Sequence, residues 1–284
     1  MMRFAPIEFD QRALAGYNAL FTACFPGTDK FTTRYLEWLY VSNPDGRAFG
    51  FDAWEGELLA AHYVCIPAEA SIDGQRVRVL LSLNTATHPQ FQGQGLFTKL
   101  AAMTYDAAAA AGYSGVYGVA NANSTPGFVR KLGFQLVRPL EALVGVGGIG
   151  GSRRAAEAPL AFERVWSQSA LEWRCASPAN PVRRQRRNEA WQFHAAAFAP
   201  WMHAYAELSL PPALDLAPTG GPVTPLRLYL GLVPDAERRF GSYVEIPKRL
   251  RPSPLNLIYR PLAGAASQLD PARIRFSFLD FDAY

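Results

Sequence analysis

Leu83-Asn-Thr-Ala-Thr-His-Pro-Gln-Phe-Gln-Gly-Gln-Gly-Leu-Phe-Thr-Lys-Leu100 is the stretch around which the rest of the chain is organised. An apolar pattern from Val77 to Leu83 predicts a strand leading into it, and Leu96, Leu100, Met103 and Ala107 recur at helical spacing after it, over Gly95 to Ala111. The stretch therefore reads as strand, glycine turn and helix start. Gly93 and Gly95 lack a Cβ, so the backbone there can turn sharply and approach a ligand closely. The free N–H groups of the first helical turn and the helix dipole favour an anion. The expectation is a phosphate cradle.

A second element follows at short distance. Tyr113 to Asn121 reads as a strand, then comes Asn123-Ser-Thr-Pro-Gly-Phe-Val-Arg-Lys-Leu-Gly-Phe134, with Thr125-Pro126 as an N-cap and N1 proline and Gly133 as a helix stop. Gln90-Phe-Gln-Gly-Gln-Gly95, approached through Thr87-His88-Pro89, fits a Q/R-x-x-G-x-G/A pattern. The second stretch is similar to N-x-x-x-x-F-Y-x-K-L-G-F. Six residues alone are a weak signal, but two ordered motifs in strand and helix context are far more specific. Together they resemble the coenzyme A motifs of the GNAT superfamily of N-acetyltransferases.

The order of elements agrees with that resemblance. Arg12 to Phe25 and Arg34 to Val41 read as helices, and Ala48 to Trp54, Leu58 to Ile66, Ala68 to Ile72 and Arg76 to Leu83 as hairpin-linked strands. After the two motifs, Gln135 to Val146 adds one or two last strands. A mixed-sheet α/β (α+β) chain is expected, with a GNAT-type acyl-CoA-binding domain over 1–150. Gly145-Val-Gly-Gly-Ile-Gly150 spells G-x-G-x-x-G, yet a linker-like run to Pro159 follows in place of a helix, which argues against a dinucleotide fold. Leu171-Glu-Trp then echoes Leu36-Glu-Trp, each followed by a small polar residue and Asn-Pro. Strands are expected at 190–198, 205–210, 226–233, 255–262 and 273–281. This predicts a second, degenerate GNAT-like domain over 151–284, without a glycine motif after 226–233, serving as a substrate-cleft wall or pseudo-dimer partner.

Composition narrows the classes. The chain has 284 residues, 49% hydrophobic and 18% charged, enough to bury one or two cores and too apolar for disorder. No apolar run is long enough to cross a bilayer, and the first residues lack a signal peptide's apolar stretch, so a cytoplasmic protein is expected. Cys24, Cys65 and Cys175 are odd in number and far apart, which predicts buried thiols with neither disulfides nor a metal site. The net charge of +4 is concentrated at Arg183-Arg184-Gln-Arg186-Arg187. That run reads as a solvated turn or an anion-facing edge; without interleaved aromatics it does not read as a nucleic-acid surface.

What the resemblance implies is specific. The donor would be acyl-CoA, either acetyl-CoA or a longer acyl-CoA, with its pyrophosphate on the backbone N–H groups of Gln92, Gly93, Gln94, Gly95 and Leu96. Thr85, Ala86 and Thr87 would run beside the pantetheine arm, and Asn123 and Phe128 would also touch the cofactor. The oxyanion donor would be backbone N–H near Asn84 and Thr85. The family's tyrosine after Phe128 is replaced by Val129, which leaves the proton donor open. His62 is a candidate base and Asn84 a candidate orienting group for the nucleophile, with a packed core role for His62 as the alternative. Trp38 and Tyr40 are candidate substrate contacts from an aromatic helix that would otherwise be core. His88 is expected to fix the loop. The whole arrangement, including the run from Phe31 to Gly46, resembles acyltransferases acting on nucleotide-linked amino sugars for surface polysaccharides. The partner would be a small-molecule amine, in a monomer or homodimer; another amine or a non-catalytic acyl-CoA sensor stays open.

Overall fold

The computed structural model describes residues 1–149, 159–187, 190–197, 199–209, 211, 214–238, 241–251, 253–262 and 268–282. Two compact units emerge. The first comprises Met1–Glu69, Val77–Leu136 and Ile258–Gln268; the second comprises Ala70–Arg76, Val137–Leu257 and Leu269–Tyr284. Neither unit is one continuous stretch: Ala70–Arg76 belongs with the second and Ile258–Gln268 with the first. Gly150 and the expected linker to residue 158 lie outside the described residues.

In the first unit, β1 (Met2–Pro6), β2 (Phe49–Glu55), β3 (Leu58–Ile72), β4 (Gln75–Thr87), β5 (Gly115–Ala120), β6 (Gln135–Pro139) and β14 (Asn256–Pro261) form a sheet in the order β1-β2-β3-β4-β5-β14-β6. Two helices precede β2. Asp10 caps α1 (Gln11–Cys24) by accepting from Ala13 N–H at 2.7 Å, and Thr32 caps α2 (Thr33–Tyr40) by accepting from Tyr35 N–H at 3.2 Å. The helix α3 (Leu96–Ala110) buries Leu96, Leu100, Ala101 and Tyr105 against the sheet, and α4 (Thr125–Leu132) ends at Gly133 in the left-handed conformation.

Pro67 does not divide β3 as the sequence pattern suggests. The pairing of β2 with β3 ends at Cys65, so on that side its missing N–H interrupts no ladder bond, while Asn43 donates to its carbonyl at 2.9 Å.

In the second unit, β7 (Glu141–Val146), β9 (Arg183–Arg187), β10 (Ala190–Ala196), β11 (Met202–Leu208), β12 (Leu226–Gly231) and β13 (Tyr243–Glu245) form a six-stranded sheet in the order β13-β7-β12-β11-β10-β9. The two-residue strand β8 (Glu163–Arg164) pairs with Ala70 and Ser71 of β3. A short helix, α5 (Gln168–Cys175), carries the Leu171-Glu-Trp echo. The arginine run is thus an edge strand. β11 and β12 pair in parallel, and among the described residues no helix connects them. Of the strand expected over 273–281 only isolated bridges of Ile274 with Phe162 and of Phe276 with Leu232 form; beyond them Asp280 accepts from Ser277 N–H at 2.6 Å and from its hydroxyl at 3.1 Å, which folds the segment into a tight turn.

Candidate active site

β4 and β5 run parallel, in register from Val79↔Gly115 to Ser82↔Gly118. Immediately afterwards Asn84 adopts φ +47°, one of two non-glycine residues with positive φ among those described. Asparagine tolerates this conformation better than most residues. Where the register stops, a cleft of about 980 Å³ opens in the first unit, lined on the β4 side by Asn84, Thr85, Ala86 and Thr87.

The head of the cleft is the glycine turn. Pro89–Phe91 makes a single helical turn capped by His88, whose Nδ1 accepts from Gln90 N–H at 3.3 Å. Gly93 (φ +79°) and Gly95 (φ +73°) then reverse the chain into α3. A Cβ on Gly93 would meet nothing within 4 Å, and one on Gly95 only Thr98 Oγ1 at 3.8 Å, so conformation rather than crowding calls for glycine. Among the described residues no side chain caps the start of α3, so its first-turn N–H groups remain available to a ligand. Gln92, Gly93, Gly95 and Leu96 line the cleft, while Gln94 lies outside its wall.

The opposite wall comes from the second motif. Asn121 Oδ1 accepts from the N–H groups of Asn123 and Ser124, both at 3.0 Å, and this Asx-type turn starts α4. Asn123 and Phe128 line the cleft, and the Phe128 ring packs edge-to-face on Phe97 with centroids 5.2 Å apart. Val129 does not reach the cleft wall.

The candidate base is placed differently from its neighbours in sequence reasoning. His62 and Tyr40 are both fully buried and neither lines the cleft. They form a chain that ends at it. His62 Nδ1 meets Asp52 Oδ1 at 2.7 Å, His62 Nε2 meets Tyr40 Oη at 3.2 Å, and Asn84 Nδ2 donates to Tyr40 Oη at 3.2 Å. Tyr17 donates to the other Asp52 oxygen at 2.9 Å; burial, then the Asp52 carboxylate, pushes its hydroxyl far above the usual tyrosine range, so it remains a donor. A carboxylate accepts only, so His62 carries its proton on Nδ1, and its Nε2 accepts from Tyr40. The Tyr40 oxygen then accepts from Asn84. That sequence of donors leaves Asn84 Oδ1, at the cleft, without a partner among the described residues. Trp38 packs on Tyr35 at a centroid distance of 5.5 Å and stays out of the cleft.

Sequence reasoning missed a second hydroxyl chain. Ser82, at the last paired position of β4, meets Tyr63 Oη at 2.8 Å, and Tyr63 meets Tyr105 at 2.6 Å. All three sit in apolar patterns, where nothing distinguishes them from core. Cys24 also lines the cleft, its thiol donating to Thr87 O at 3.4 Å and pushed up by burial, so it stays protonated. Among the described residues no cluster of His, Cys, Asp and Glu fits a metal ion. No helix among them is long and apolar enough to cross a membrane.

A parallel strand pair that separates over a glycine-opened helix is the frame of an acetyltransferase-type fold. Residues 8–137 match the family model of the acetyltransferase (GNAT) domain. The structure is similar to a conserved protein of unknown function from Enterococcus faecalis described as a probable N-acyltransferase, with a TM-score of 0.62 at 10% identity over 92% of this chain and 73% of that one. It is also similar to a GCN5-related N-acetyltransferase from Anabaena variabilis (TM-score 0.57, 11% identity, 90% and 72% covered) and to Eis1 from Mycobacterium abscessus (0.53, 10%, 80% and 65%). At these identities the likeness is one of fold. No curated protein matches the sequence.

Proposed function

We propose that the chain is an N-acyltransferase that moves an acyl group from acyl-CoA to a primary amine by direct attack in a ternary complex. The observation that carries this reading is the glycine-opened, uncapped start of α3 at the head of the β4/β5 cleft. It suits the pyrophosphate of CoA, with the pantetheine arm beside Thr85, Ala86 and Thr87 and the thioester near Ser82 and Asn84. The amine lone pair attacks the thioester carbonyl, the C–N bond forms as the C–S bond breaks, the amine loses a proton and the departing thiolate gains one.

In this reading Asn84 Oδ1 accepts from the amine N–H and aims its lone pair, and His62 acts as a positioning residue through Tyr40. The acceptor we favour is an amino sugar linked to a nucleotide, which rests on the resemblance of the sequence as a whole. Val129, standing where the family's tyrosine would be, favours one other reading, a non-catalytic acyl-CoA sensor.

Thiol release from acetyl-CoA with a panel of amines, including nucleotide-linked amino sugars, tests the proposal. Amine-dependent release is expected, with loss of both release and CoA-induced thermal stabilisation in Gly93→Ala. Stabilisation by CoA without release on any amine would favour the sensor, and no CoA binding would refute both.

A further inference from the structure

The second unit carries positive charge that acyl transfer does not use. In the sheet register His194 of β10 lies opposite Arg183 of β9 and Tyr205 of β11, and His203 of β11 lies opposite Arg227 of β12. Side chains alternate along a strand, so Arg183, Gln185, His194, His203 and Arg227 share one face. Arg227 is only 4% exposed. One of its nitrogens donates to Gly147 O, and the guanidinium lies over the Tyr205 ring at 4.3 Å. Among the described residues its Nε is buried with no partner, as is His194 Nδ1.

Among the described residues none of Arg183, Arg184, Arg186, Arg187 and Arg227 is paired with a carboxylate; Arg183 and Arg184 donate to the carbonyls of Pro222 and Ala217. Burial, then Arg227, His203 and Arg183, pushes His194 down to about 4, so the imidazole adds no charge to the cluster at neutral pH. A guanidinium taken out of water without an ion-pair partner is strongly disfavoured, and the Glu207 carboxylate on the same face accepts from Tyr205 Oη and Ile149 N–H instead. Arg227 also lines a groove of about 420 Å³ with Gln185, Arg186, Arg187 and Thr224. An anion there meets several unpaired guanidinium N–H groups, the donor geometry that fits phosphate oxygens.

We propose that this groove is a binding site for the phosphate or diphosphate group of a small ligand, with Arg227 as its buried anchor and Arg186 and Arg187 at its mouth. The groove is short and lacks a row of exposed aromatics, which favours a small ligand over a nucleic-acid strand.

The test uses the full chain saturated with CoA, so that the cleft of the first unit is already occupied, and measures melting temperature and calorimetric affinity with pyrophosphate at physiological salt. Pyrophosphate is expected to raise the melting temperature, and Arg227→Met to weaken its binding by at least about tenfold. Without ligand, Arg227→Met should melt at or above the wild-type temperature, because it removes an uncompensated charge while keeping the side-chain volume. Arg187→Ala, at an exposed position, should weaken pyrophosphate while leaving the fold and CoA binding intact. Binding of ADP without binding of adenosine assigns the anion to a diphosphate on a larger ligand; equal binding of inorganic phosphate assigns it to free phosphate. No pyrophosphate effect, an effect that persists in both variants, or a ligand-free melting temperature clearly lowered in Arg227→Met overturns the proposal. So does tighter binding of a single-stranded oligonucleotide than of any small phosphate.

Discussion

At the scale of single residues, Asn84 connects the buried interior to the cleft. Its left-handed backbone stops the pairing of β4 with β5, and its side-chain amide is oriented by three groups that never touch solvent. The His62 tautomer determines that orientation: with the proton on Nδ1 toward Asp52, Nε2 takes the Tyr40 hydroxyl and the Tyr40 oxygen is left to accept from Asn84. Tyr40→Phe removes one oxygen and keeps the ring packed, so CoA affinity should be unchanged while kcat/KM for the amine falls by roughly tenfold to a hundredfold. Asp52→Asn should act in the same chain, so the double variant should be no worse than the more severe single one. Additive losses, or a pH profile for the amine that neither change moves, would reduce these contacts to packing. A buried histidine between two aromatic helices reads in sequence as core, and it is core. Its role depends on partners spread over α2, β2 and β4, which no local pattern connects.

At the scale of elements, the cradle was readable because all its parts are local. A strand, two glycines with positive φ and a helix opening fall within about twenty residues, and each has its own residue signature. The second unit was less readable for the opposite reason. Its strands were largely found, but among the described residues the parallel contact of β11 with β12 lacks a connecting helix, and the segment expected as a last strand is closed into a turn by Ser277 and Asp280. Both depend on partners distant in sequence. One close approach is likewise invisible in sequence: a Cβ on Gly115 of β5 would lie 2.7 Å from the Tyr259 ring of β14. Gly115→Ala should therefore destabilise the protein by about 1–3 kcal/mol, the usual cost of overpacking a core, as measured by urea unfolding. A neutral result would mean that Tyr259 moves aside freely.

At the scale of the whole molecule, stability depends on pH through the second unit. His194 has its native value pushed down to about 4, first by burial and then by Arg227, His203 and Arg183, against an ordinary 6.5. A depressed histidine contributes stability that is fully present above 6.5 and is lost as pH falls toward 4. The His194 contribution to the unfolding free energy should therefore decline over that window, opposed by buried Asp280, whose carboxyl is pushed up to about 6, and His194→Gln should remove a decline on the order of 2 kcal/mol relative to the wild type. An unchanged slope in the variant would place the acid sensitivity elsewhere.

The strand order has its own effect on how the chain is made. β14 lies between β5 and β6, yet residues 140–255 separate it from β6 in the chain. On the ribosome, the strands flanking that gap emerge long before the one that fills it. The sheet of the first unit thus reaches its final order only after Asn256–Pro261 has been made, with the edges of β5 and β6 waiting for their shared partner. A stalled or truncated product would leave those edges open to pairing with another chain.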